Sequence, residues 1–192
     1  METTSQGRGH RRRRSVQLRQ GRATATRSSR VRLYLTAAEA AAFARDHHGA
    51  ERLLDRAAML VQDTQDMTSA PDLMPPGTTA PARPVDVAVH RVRVEVVLGR
   101  SGKALRLAEH VDSVDALDRE GRARFYLTLA RAHLHQRDQP GAVLALMQAD
   151  RASPEEVRFN VYAQHLLKQA IGQDSVTVRH DLYRLAERAG LL

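Results

Sequence analysis

Two adjacent stretches within residues 123–154 repeat small or apolar side chains at a helical period. The apolar positions of the two stretches are, in chain order, Tyr126, Leu129, Ala130, Ala142, Leu146 and Ala149. A polar segment at 136–141 separates them and contains Pro140 and Gly141, which are typical of turns. Alanines on facing helices allow a close approach, so this pattern predicts an antiparallel helical hairpin.

The second helix of this hairpin has two related copies earlier in the chain. Residues 99–111 align with it so that Ala104 lies 38 positions before Ala142. Residues 45–57 align in the same way, with Ala50 in the equivalent place. Three related hairpins bury a continuous core when they stack side by side. The sequence therefore predicts an all-α fold, a short solenoid of stacked helical hairpins.

The valine-rich stretch Val85–Val97 has two interpretations. Its valines alternate in places as they do in a β-strand. A helical stripe fits as well and consists of Val85, Val89, Val92 and Val96. We predict a helix, because a lone strand has no partner in this chain and the stretch runs into a hairpin turn at Gly99.

Composition and punctuation divide the chain into four segments. They are a disordered Arg-rich tail at 1–32, a first helical hairpin at 33–62, a Pro-rich linker at 63–84 and a helical domain at 85–192. The linker holds five of the seven prolines, and a long loop within one solenoid is the alternative. Two helices ended by Gly172 and Gly190 are expected after Glu155, and the second would cap the open end of the stack.

Capping boxes mark two predicted helix starts. Thr36–Glu39 and Ser153–Glu156 both place a hydroxyl three residues before a carboxylate, and Pro154 suits the first helical position. The hairpin alignment nevertheless puts Tyr34 inside the helix that the first box would begin. The start of the first helix is therefore left open between Tyr34 and Thr36.

The net charge of +8 comes from the tail rather than from the whole chain. Residues 1–32 contain ten arginines and a single acid, Glu2, with almost no large apolar side chains. Such a segment cannot offset its ordering entropy by burial, so we predict disorder. The run of Arg11, Arg12, Arg13 and Arg14 is a candidate for weak, non-specific phosphate contacts with nucleic acid. A transit peptide and a solvated extension without a role are the alternatives.

Composition also narrows the classes of function. There is no cysteine, which excludes disulfides and thiolate ligands, and no apolar run is long enough for a membrane. A cytoplasmic protein without a membrane partner is expected. His133 and His135 are two positions apart, which does not give the spacing of a helical metal pair, and no HExxH, GxSxG or phosphate-loop pattern occurs. We expect no enzyme activity, no metal and no cofactor.

The hairpin resembles a tetratricopeptide repeat. The resemblance is carried by Tyr126, the Leu129–Ala130 pair, Ala142, Ala149 and the closing Pro154. His133 and Arg137 depart from the repeat, which prefers an aromatic residue and a glycine there. An ordinary amphipathic helix pair is the alternative. The resemblance implies a tetratricopeptide-like solenoid, in which the first helix of each hairpin lines a concave groove.

A second resemblance extends over roughly residues 33–192. The strings that carry it are HRVRVEVVLG, ALRLAEHVDSV, RARFYLTLARAH and LYRLAERAGLL. They are similar to the carboxy-terminal half of actinobacterial helix-turn-helix transcriptional regulators of the xenobiotic-response-element type. In that family a DNA-reading domain precedes the repeats, whereas here only the Arg-rich tail does. The resemblance implies an effector or sensory half.

These observations lead to a non-enzymatic binding module as the expected function. Arg93 and Arg131 are 38 residues apart, which is the offset of the repeated alanines, so both would project from equivalent points of first helices. Two arginines on the groove that the resemblance implies would clamp a carboxylate of an acidic peptide or protein. Arg124 and His90 would extend that surface, and a homo-oligomer is compatible with it. Chance spacing of solvated arginines and nucleic-acid binding through the tail are the alternatives.

Overall fold

A computed structural model of the protein describes residues 26–67, 81–173 and 178–191. All regular structure within these ranges is helical, which confirms the all-α prediction. Predictions for residues 1–25 and 68–80 lie outside the described residues. The elements are α1 (residues 26–43), α2 (His47–Met67), α3 (Pro84–Val97), α4 (Ser101–Ala108), a 3₁₀ turn (Val114–Ala116), α5 (Arg119–His135), α6 (Gln139–Ala152), α7 (Pro154–Phe159), α8 (Val161–Gly172) and α9 (Arg179–Arg188).

The first six helices form three hairpins whose turns share one geometry. Arg45, Gly99 and Arg137 adopt left-handed backbone conformations with φ of 63°, 80° and 57°. Each lies five positions before a fully buried alanine, and these alanines are Ala50, Ala104 and Ala142. The repeat alignment made on the alanines is therefore also an alignment of the turns.

The same two backbone hydrogen bonds close each of these turns. The left-handed residue donates its amide to the carbonyl three positions earlier, and the next residue donates to the carbonyl five positions earlier. The second set of bonds is Asp46 to Ala41 (2.9 Å), Arg100 to Glu95 (2.8 Å) and Asp138 to His133 (3.0 Å). This pair of bonds satisfies carbonyls that a helix end leaves free.

Aspartate caps the start of three helices, and a glycine follows it three positions later each time. The glycine amide donates to the aspartate side chain in the pairs Asp46–Gly49 (2.8 Å), Asp118–Gly121 (2.7 Å) and Asp138–Gly141 (3.1 Å). A Cβ atom at Gly141 would lie 2.4 Å from both the Asp138 carboxylate and the His133 ring. The absence of a side chain there lets the cap close.

The core consists of three apolar clusters arranged along the stack. The first cluster joins α1 and α2 to one side of α3, through Val87 and Val94. The second joins the other side of α3 to α4 and α5, through Val85, Val92 and Val96. The third cluster lies among α5, α6, α7, α8 and α9. Because α3 is buried on two sides, its valines lie on both of these sides. They therefore alternate in places as in a β-strand, although the segment is a helix.

The first helix begins earlier than either sequence boundary. Residues 26–32, which were assigned to the tail, belong to α1, and Ser28 and Val31 are buried there. The prediction that a capping box at Thr36–Glu39 begins the first helix is wrong, because both residues lie in the interior of α1. The reason is the apolar stripe of Val31, Leu35, Ala38 and Ala42, which continues upstream of Thr36 at helical spacing.

Two helices extend into the segment predicted as a linker, since α2 continues to Met67 and α3 begins at Pro84. Ser153 is the N-cap of α7 and Pro154 its first residue, as predicted. The reciprocal bonds of a capping box do not form at this end, because the Ser153 hydroxyl donates to Glu155 instead (3.3 Å). The single helix expected after it is also interrupted at Asn160, which separates α7 from α8.

Candidate binding face on the first helices

Three charged residues occupy equivalent positions on the first helices of the three hairpins. Glu39 on α1 and Arg93 on α3 are 54 positions apart, which is the separation of Ala50 and Ala104. Arg131 on α5 follows Arg93 by 38 positions. Because the hairpins stack in one direction, these side chains project from the same side of the molecule. We call Glu39, His90, Arg93, Arg131 and Tyr162 the basic face.

Glu39 joins α1 to α3 through Arg93 and His90 of the basic face. Its Oε1 atom lies 3.4 Å from Arg93 Nη1 and 3.4 Å from His90 Nε2. The Glu39 side chain is only 14% exposed, whereas that of Arg93 is 46% exposed. The other His90 ring nitrogen, Nδ1, is 2.8 Å from the Asp86 carbonyl oxygen. Glu39 thus takes up part of the charge of Arg93 and leaves that arginine in contact with solvent.

Tyr162, the second residue of α8, lies within the electrostatic reach of both Arg131 and Arg93. Burial raises the pKa of the Tyr162 phenol, while the charge of Arg131, a hydrogen bond from Arg131 and the charge of Arg93 oppose that shift. The net direction is upward, so the hydroxyl stays protonated and neutral at physiological pH. A neutral phenol accepts a bond from Arg131 and retains a proton to donate to an anion.

His135 lies one turn beyond Arg131 on α5. Its pKa is lowered, first by burial and then by the charge of Arg131, so its neutral form is favoured. Its Nδ1 atom is 3.1 Å from the hydroxyl oxygen of Ser101, which is buried at the start of α4. This contact ties the second hairpin to the third at the edge of the basic face.

Arg124 forms ion pairs with two carboxylates. Its Nη2 atom lies 3.0 Å from Glu156 and 3.2 Å from Glu120. The pKa of Glu156 is lowered, chiefly by a hydrogen bond from Asn160 and also by Arg124, against the opposite effect of burial. Arg124 therefore holds α7 against α5, two helical turns before Arg131.

The structure brings three of the four predicted ligand-binding residues together. His90 and Arg93 meet at Glu39, and Arg93 and Arg131 both act on Tyr162. The candidate nucleic-acid residues Arg11, Arg12, Arg13 and Arg14 lie outside the described residues. Sequence reasoning missed two members of the face. Glu39 was detectable from its offset to Arg93, but no repeat spacing points to Tyr162.

The basic face has the chemistry of an anion site. Glu39 and Glu156 are already paired with cations, while Arg93 is exposed and Arg131 is half-buried beside a neutral phenol. Guanidinium groups bind carboxylates through paired, charge-assisted hydrogen bonds. The arrangement around Arg93, Arg131 and Tyr162 therefore suits a carboxylate that approaches from solvent.

No protein family, curated protein or solved structure matches this chain. None of the helices within residues 26–67, 81–173 and 178–191 combines the length and apolar character needed to cross a bilayer. Across those same residues, no three His, Asp or Glu side chains gather as a metal site requires.

Proposed function

We propose that this chain is a non-enzymatic binding module whose basic face takes an acidic peptide or an acidic surface of a protein partner. The observation that supports it most directly is the equivalent placement of Arg93 and Arg131 on the first helices of successive hairpins, where the Arg93 side chain is 46% exposed and Arg131 is half-buried. A lone surface arginine contributes little specificity. Two guanidinium groups and a phenol fixed on three packed helices are arranged in advance for a carboxylate.

Burial supports the same proposal. Arg131 is half-buried, so it is partly shielded from water. Hydrogen bonds to charged groups contribute more in such surroundings than on an open surface. The tetratricopeptide resemblance gives this side of the stack the same role, because there the first helices line the groove.

The resemblance to transcriptional regulators extends the proposal to a biological setting. The module would be the sensory part of a bacterial regulator in the cytoplasm, and the acidic partner would be its effector. The DNA-reading part would then lie elsewhere. A helix-turn-helix reading frame beside this one in the genome would support the extension.

The proposal is tested by the binding of a labelled peptide rich in Asp and Glu, measured by fluorescence anisotropy at low salt. Arg131→Ala and Arg93→Ala should each weaken binding roughly tenfold or more, because each removes a charge-assisted bond. Arg151→Ala is the matched control, since Arg151 is an exposed arginine on α6. Equal losses for Arg131→Ala and Arg151→Ala would contradict the proposal.

Weak nucleic-acid binding through the tail is the second candidate function. Residues 1–25 contain seven arginines and one acid, and the charge of such a segment is sufficient for non-specific phosphate contacts. Removal of residues 1–25 leaves α1 intact and should abolish the retention of duplex DNA at about 50 mM salt. Retention that survives this deletion would assign DNA binding to the helical part instead.

A further inference from the structure

Exposed apolar side chains concentrate at the junction of α7 and α8. Phe159 is 71% exposed, Val161 79% and Tyr162 38%, all within four consecutive positions. We call these three residues the apolar ledge. The other large apolar side chains that are exposed in the described part are ten or more positions apart along the chain, and they are Leu33, Phe43, Met59, Leu144 and Tyr183. Isolated exposed residues are ordinary, whereas contiguous ones mark interaction surfaces.

The backbone around the apolar ledge is held by its own hydrogen bonds. Asn160 ends α7 and caps α8, and its side-chain oxygen accepts from the Tyr162 amide at 2.9 Å. The Asn160 side-chain nitrogen donates to Glu156 at 2.8 Å, and Gln164 donates to the Arg158 carbonyl at 2.7 Å. These bonds satisfy polar groups that a helix break leaves open. The ledge is thus a fixed feature and not a frayed helix end.

Cations lie beside the apolar ledge. Arg131 on α5 and Arg93 on α3 both oppose the rise in the pKa of Tyr162 through their charges, so both arginines lie on the Tyr162 side of the ledge. The Arg158 guanidinium lies 5.3 Å from the centre of the Phe159 ring. Glu156, the carboxylate of α7 that faces α5, is neutralised by Arg124. The ledge is therefore an apolar surface with positive charge next to it, and Tyr162 belongs to both the ledge and the basic face.

From this continuity we infer that the partner is an acidic segment that also carries a bulky apolar side chain next to its carboxylates. A carboxylate binds Arg131 and Arg93, and the neighbouring apolar side chain covers Phe159 and Val161. This inference rests on the proposed function and makes it more specific. Charge complementarity selects an acidic peptide as the occupant, since the arginines beside the ledge repel a basic one.

Two short labelled peptides of identical negative charge test the inference, one with a central Phe and the other with Ser in that place. The full chain should bind the Phe peptide about tenfold more tightly, because burial of one aromatic side chain contributes that much. Phe159→Ser with Val161→Ser should remove this preference and leave the Ser peptide unaffected. Leu144→Ser, on an exposed apolar residue of α6, is the control and should change neither affinity.

The outcomes separate this inference from the proposed function. Equal affinity of the wild-type chain for both peptides overturns the inference and leaves the acidic-peptide function standing. If neither peptide binds, both are overturned. A wild-type chain that dimerises through Phe159 and Val161, or binds single-stranded DNA more tightly than the Phe peptide, also overturns the inference. If the double variant melts at a lower temperature, Val161→Ser alone provides the same comparison.

Discussion

In the α5–α6 hairpin and at the α7–α8 junction, the second helix begins with a side-chain N-cap. Asp138 caps α6 by accepting from the Gly141 amide at 3.1 Å, and Asn160 caps α8 by accepting from the Tyr162 amide at 2.9 Å. Beside the first cap, Leu134 and Ala142 are buried, whereas beside the second Val161 is largely exposed. A cap therefore satisfies the backbone in both places but does not decide where apolar side chains go.

Whether an apolar side chain is buried depends on which side of its helix faces the core. Val157 and Leu166 are both buried, yet an unbroken helix would place them about half a turn apart, since nine residues rotate by roughly 100° each. The interruption at Asn160 resets the phase so that both reach the core. The side chains at the interruption itself then point away from it, which produces the apolar ledge.

The stability of the α5–α6 hairpin should be most sensitive to a larger side chain at Ala142. Ala142 is fully buried where α5 and α6 pack closely, so Ala142→Leu should overpack the contact and lower the free energy of unfolding by about 1 to 3 kcal/mol. Val161→Leu should have almost no effect, because Val161 is exposed. Thermal melting followed by circular dichroism measures both. An unchanged melting temperature for Ala142→Leu would contradict the tight packing.

The two caps are compared next. Asp138→Ala and Asn160→Ala should each lower the free energy of unfolding by about 1 kcal/mol, the usual contribution of an N-cap. Only Asn160→Ala should also weaken binding of the Phe-containing acidic peptide, because it loosens the apolar ledge. Chemical denaturation and peptide titration on the same samples check this. Equal peptide affinities for the two variants would show that the cap does not hold the ledge.

The left-handed turn residues give a smaller, stabilising effect. Arg137 has a φ of 57°, so Arg137→Gly should relieve backbone strain and gain about 0.5 to 1 kcal/mol after the added freedom of the unfolded chain is subtracted. Gly99 occupies the equivalent position with a φ of 80°, and Gly99→Ala should destabilise the protein. Denaturation midpoints measure both changes. A loss of stability for Arg137→Gly would mean that its side chain matters more than its backbone.

The smallest expected effect is a loss of folding stability at acidic pH. The pKa of Asp138 is lowered chiefly by the Gly141 amide, and that of Glu156 chiefly by Asn160, in each case with burial opposing the shift. A lowered pKa in the folded state stabilises the protein while the carboxylate is ionised. This contribution is complete above the ordinary values of 3.8 and 4.5 and is lost as the pH falls through the lower folded values.

Asp138→Asn and Glu156→Gln should therefore each flatten the fall in melting temperature between about pH 5 and pH 2. Glu109→Gln, at an exposed acid after α4, is the control and should keep the wild-type slope. The Asp138 variant reports on the hairpin and the Glu156 variant on the junction. A wild-type slope in both variants would show that neither carboxyl group has a lower pKa in the folded state than in the unfolded state.

The all-helical character of the fold and the repeat of the hairpins could be predicted from the sequence, because both depend on interactions between residues that are close in the chain. Ala50, Ala104 and Ala142 are spaced so that each lies at the same distance from a left-handed turn, and those turns depend on bonds between residues no more than five positions apart. The charged positions on the first helices follow the same spacing, so Arg93 and Arg131 were found from the sequence.

What those positions contact depends on the packing of helices that are distant in the sequence. Glu39 and Arg93 are 54 positions apart, and Arg131 and Tyr162 are 31 positions apart. The burial of α3 on two sides likewise involves α1, α2 and α5. Periodicity and capping express interactions within a few residues, so they place a side chain on a face of its own helix. Which neighbour that face meets depends on how the helices pack, and here Tyr162 lies at the start of α8, at a position that the repeat spacing does not include.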